Sequence, residues 1–91
     1  MITINSIIDR LKATGNHGVM EYYLKEYCET IKTREKQRNE PTIITSWMAL
    51  GEKENQAYTM IAGITWGLSM AGYITNDEQE KAIKELIAIK H

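Results

Sequence analysis

The chain has 91 residues, 25% of them charged, and a formal net charge of −1. That is one domain, with no global attraction to nucleic acid or anionic lipid. A domain this short buries proportionally little of its own surface and commonly gains stability from a partner.

The first predicted helix is short. Ile4, Ile7, Ile8 and Leu11 recur at i, i+3, i+4 and i+7, an amphipathic stripe. Thr3 or Asn5 is placed to cap it, Gly15 to end it, and Asn16-His17-Gly18 reads as a turn. The second helix is predicted from about Val19 to Arg38. Met20, Tyr23, Leu24, Tyr27, Cys28 and Ile31 form its apolar face, and Glu21–Lys25 is an i,i+4 pair in the favoured order. Beyond Ile31 the stripe stops while helix formers continue, so the last two turns are expected to overhang the core or fray. Pro41 then breaks the chain. Thr42–Leu50 is ambiguous: Thr42 to Thr45 are β-formers, but Ile44, Trp47 and Met48 have helical spacing. With no second strand to pair with, a short helix ended by Gly51 is the better reading.

From Asn55 to Asn76 the chain runs 22 residues without a charge. A helix apolar on all sides belongs in protein or in lipid. A span needs about 20 mainly apolar residues, and Tyr58 and Tyr73 could sit at interfaces. The interior argues against a span. Gly63, Gly67 and Gly72 fall inside it, with Thr59, Thr65 and Ser69, and its strong hydrophobes are only Ile61, Ile64, Leu68 and Ile74. Gly72 suits the left-handed position that closes a helix, and Thr75-Asn76-Asp77-Glu78 matches a capping box opening the next. That leaves about 18 helical residues, roughly 27 Å at 1.5 Å per residue. The N-terminus does not read as a signal peptide. The last helix is predicted from Asn76 to about Lys90. Ala82, Ile83, Leu86, Ile87 and Ile89 lie on its inner side, with Glu80–Lys84 and Lys81–Glu85 on the wet side.

Leu68, Gly72, Ile74, Thr75 and Glu78, followed by Ile83, Leu86 and Ile87, make a local pattern. It resembles the helical hairpin of short C-terminal (SHOCT-type) modules, which read roughly as leucine, then G-x-I-T-x-x-E, then an aromatic and a lysine. Here Gln79 replaces the aromatic and Ala82 stands near the lysine. The match covers residues 68–87. The resemblance implies a hairpin of a kind that can self-associate, and transfers no activity. The chain's size and lack of enzyme motifs also resemble accessory proteins of mobile elements.

Several groups are candidate sites. Gly63, Gly67 and Ala71, spaced by four, form a smooth stripe where a second backbone can come close. With Trp66 and Met70 beside them, they read as a self-association seam or as an internal contact with a neighbouring helix. Trp66 lies opposite Ile61, Ile64 and Leu68, so it marks either an interface or a ring buried under another helix. Lys32, Arg34, Lys36 and Arg38 are four cations in seven residues, with Glu35 among them. With Tyr22 as the one plausibly exposed ring, they form either a partner- or polyanion-binding arm or a solvated helix end. Cys28 is the only cysteine, which excludes an internal disulfide. It suits a reducing, hence cytoplasmic, compartment and reads first as a small buried hydrophobe. A pairing with His17 has no local support. His17 and His91 are isolated, no zinc spacing occurs, and neither a nucleophile elbow nor a phosphate loop is present. Asp9, Asp77 and Glu78 read as caps at helix starts.

The expectation is an all-α domain, residues 1–91, of four to five helices packed around a central apolar helix at about 54–71. It is expected to be a non-enzymatic regulatory or inhibitory protein acting through another protein, homodimeric, with no cofactor, metal or membrane. The alternatives are a nucleic-acid-binding module using Lys32–Arg38, or an accessory subunit of an enzyme.

Overall fold

Two glycines with left-handed backbone close the first and third helices. In the computed structural model, which describes residues 2–39 and 47–90, Gly15 has φ 76° and Gly72 φ 81°, a region that a side chain disfavours. Each ends its helix with the same paired bonds. Asn16 N donates to Leu11 O (3.1 Å) and Gly15 N to Lys12 O (3.2 Å); Tyr73 N donates to Leu68 O (2.9 Å) and Gly72 N to Ser69 O (3.1 Å). Carbonyls left over at the helix end are thereby satisfied. The helices are α1 (Ile2–Lys12), α2 (Gly18–Asn39), α3 (Trp47–Met70) and α4 (Asn76–Lys90). No strand occurs among the described residues.

The described residues form four helices, and Gly51 does not end one of them. α3 runs through it from Trp47 to Met70. An internal glycine costs a helix only about 1 kcal/mol relative to alanine. Against that, Leu50, Glu54, Ala57, Ile61 and Thr65 all bury on one continuous stripe spanning the glycine. The ambiguous segment at Pro41 and Thr42–Thr45 lies outside the described residues, as does His91.

α2 packs mainly on α3, α3 on α4, and α4 on α1. α2 and α3 are antiparallel: Arg34, late in α2, meets Glu54, early in α3, while Tyr27 meets Tyr58 (ring centroids 6.3 Å apart). At 1.5 Å per residue these two helices measure about 33 and 36 Å. They set the long dimension of a molecule 46 × 23 × 18 Å across, with a radius of gyration of 14.3 Å. A compact chain of this length has roughly 12 Å, so the molecule is more elongated than a compact domain.

The core is aliphatic. Ile4, Ile7, Ile8 and Leu11 of α1 are all buried, with Met20 and Tyr27 of α2, Ala57 and Ile61 of α3, Ile74, and Ala82 and Leu86 of α4. Tyr23, Leu24, Ile31, Ile83 and Ile89 pack half-buried against them. Ile87, expected inside, is 45% exposed, since it follows Leu86 by one residue and points away from the stripe of Ala82 and Leu86. Tyr27 donates its hydroxyl proton to Leu86 O at 2.8 Å. Burial, and then the nearby Glu54 carboxylate, pushes its pKa up to about 12. Thr65, fully buried, satisfies its hydroxyl by donating to Ile61 O (3.1 Å) and Ala62 O (3.0 Å) within its own helix.

Three polar ties join elements that the sequence reading left unconnected. Glu85 receives Thr3 N (2.9 Å) and Ile4 N (3.1 Å). The N-terminal amides of α1 are thus capped from α4, rather than by Thr3 or Asn5. Arg10 of α1 binds Glu78 of α4. Arg34 binds Glu54 at 2.6 Å, with the Glu54 side chain only 5% exposed. The expected surface pairs are replaced. Glu21 meets Lys12 (3.6 Å) rather than Lys25, and Lys81 meets Asp77 (3.1 Å) rather than Glu85. Asp9 is no cap: it sits inside α1, 3.7 Å from Lys12. The capping box does form. Glu78 N donates to Thr75 Oγ1 (3.1 Å), and Thr75 N to Glu78 Oε1 (3.0 Å).

Candidate interaction surface

From Asn55 on, α3 is apolar on all sides in sequence but buried on one side only. Its inward stripe uses Ile61 and Thr65, with Ile64 and Leu68 half-buried beside them. At 100° per residue, Thr59, Gly63, Trp66 and Met70 fall on the far side of the helix. All four are exposed, as are Met60 and Gly67. Trp66 is 61% and Met70 71% exposed. From Asn55 to Asn76 there is no charge, so the outward face of the last three turns is uncharged as well as open. Exposed Tyr73 follows directly.

The small residues leave this face flat. A Cβ built at Gly63 or Gly67 meets nothing within 4 Å among the described residues. The Gly63–Gly67 stripe therefore does not serve a contact with α2 or α4, the internal alternative raised by its spacing. Ala71 stands just past the helix end, is exposed, and bonds back through its amide to Gly67 O at 3.0 Å. Trp66, 61% exposed, is not covered by another helix among the described residues. The structure thus places Gly63, Trp66, Gly67, Met70 and Ala71 together on one open surface.

The cationic segment is divided. Lys32, Lys36 and Arg38 are exposed, whereas Arg34 turns inward to Glu54. Arg34 lies one turn beyond Thr30 and Ile31, on the buried side of α2, and Glu54 lies on the buried stripe of α3. Tyr22 is 58% exposed and rests edge-on against Tyr23, centroids 5.1 Å apart. It precedes Lys32 by ten residues, about 15 Å along the helix, so ring and cations do not form one platform. Glu35 is exposed among the cations, and exposed Glu29 lies one turn before Lys32.

Cys28 lines a cleft of about 480 Å³ between α1 and α2, together with Asn5, Ile8, Asp9, Lys12, Glu21, Leu24 and Lys25. Burial pushes its thiol pKa up, against the opposing pull of Lys32, which disfavours the thiolate. His17 precedes the first turn of α2, about 17 Å along the helix axis from Cys28, and the two are not brought together. Among the described residues no group of three or more His, Cys, Asp or Glu side chains could hold a metal ion. No helix among them is long and apolar enough to cross a membrane.

No family model, curated protein or solved structure matches the chain.

Proposed function

We propose that this chain is a small non-enzymatic regulatory or inhibitory protein of the mobile-element accessory type. It acts through protein–protein binding and associates with itself through the outward face of α3. The observation that carries this reading is the uncharged, solvent-facing side of α3 between Thr59 and Met70, where Trp66 and Met70 stand beside two glycines whose Cβ positions are empty. Exposed apolar surface of this kind, unbroken by charge, marks contact sites, and a large aromatic beside a flat backbone can anchor one. Two copies meeting face to face would bring no charge against charge. The glycines, each costing its helix about 1 kcal/mol relative to alanine, would be explained by close approach of a second backbone. The cytoplasmic placement rests on the lone thiol.

The test is Trp66→Glu. Its side chain carries little of the core, so the variant should fold, lose self-association by light scattering, and lose any protein partner held through this face. A Trp66→Glu variant that associates as the wild type does would remove the reading.

Nucleic-acid binding through Lys32, Lys36 and Arg38 is the alternative. It has less support because Arg34 is committed to Glu54 and acids interleave the remaining cations. It requires an interaction that weakens steeply with salt and disappears when those three cations become Gln. The third reading, an accessory subunit of an enzyme, would use the same α3 face.

A further inference from the structure

We draw no further inference here: the strongest candidate, the cleft of about 480 Å³ between α1 and α2 with Cys28 on its wall, carries nothing because its rim charges Asp9, Lys12 and Glu21 are engaged with one another and nothing in the structure shows what covers it.

Discussion

Replacing Gly63 and Gly67 together by alanine tests whether the outward face of α3 is open within a single molecule. Both glycines lie in a helix, neither has positive φ, and neither faces a heavy atom within 4 Å of a new Cβ. The substitution therefore meets no steric cost in the monomer. Each alanine should recover the helix-propensity difference, about 1 kcal/mol, part of it by restricting the unfolded chain. The pair should give about 2 kcal/mol. For a domain of 60–100 residues each kcal/mol moves the melting temperature by roughly 4–8 °C, so the double variant should melt roughly 8–16 °C higher. The assay is thermal denaturation followed by circular dichroism at a dilution where the wild type is monomeric. At high concentration the sign should shift. Added methyl groups hold two backbones apart, so any rise of wild-type melting temperature with concentration, the mass-action mark of association, should flatten in the variant. A double variant that melts lower than the wild type in dilute solution would show that something packs on Gly63 and Gly67 inside the monomer.

Leu86→Ala, at a position with no exposure, should cost about 2–5 kcal/mol by urea denaturation, and more than the same change at half-buried Leu68; the reverse order would put the wrong face of the hairpin inward. Glu54→Ala removes the carboxylate that faces the Arg34 guanidinium in a largely buried place. Removing one partner of such a pair costs about 3–5 kcal/mol, reduced here because Arg34 keeps 21% side-chain exposure. In a double-mutant cycle with Arg34→Met, a coupling near zero would count against the pair. Acid should destabilise the fold in a defined window. The Arg10 hydrogen bond, then the Thr75 amide, hold the Glu78 carboxyl down to about 2. For Glu85, burial pushes the pKa up, but hydrogen bonds from Thr3 and Ile4 outweigh it and the net direction is down. Depressed carboxylates contribute stability that is complete above the ordinary carboxylate range and lost as pH falls through their folded values. The loss should therefore run from about pH 4.5 toward pH 2. Glu78→Gln should shrink it, measured as melting temperature against pH; an unchanged acid slope would contradict the assignment.

The elements legible in sequence were those decided within a few residues. The turn from α3 to α4 follows from Gly72, Thr75 and Glu78, whose bonds span at most five positions. The aliphatic stripe of α1 gave its buried face completely. What the chain did not reveal was decided at long range. Gly51 reads as a stop because local propensity alone is weighed, yet burial of Leu50 and Glu54 on either side holds the helix together. Glu85 caps α1 from more than 80 residues away, and no local pattern encodes that. The Arg34–Glu54 tie did leave a trace. Each is a charge on an apolar register, Arg34 seven residues after Tyr27 and Glu54 seven before Ile61. Opposite charges at such positions on adjacent helices are a signal for a buried pair. The apolar helix misled in another way. Apolar on all sides does not mean packed on all sides within one chain: glycine, alanine and threonine add little bulk to bury, so one packed stripe leaves the opposite face exposed. For the candidate surface, residue spacing left a seam and an internal contact open, and a Cβ at Gly63 or Gly67 meets nothing within 4 Å among the described residues.

Light scattering of the wild type and of Gly67→Leu, over a range of concentrations, tests the central claim most directly. The account predicts that the wild type forms a dimer as concentration rises. Gly67→Leu should remain a folded monomer with helicity kept, because the new side chain extends into open space in the single molecule and into the second backbone in the pair. A wild type that stays monomeric at the highest concentration reached would contradict self-association, and a Gly67→Leu variant that unfolds would contradict the open face itself.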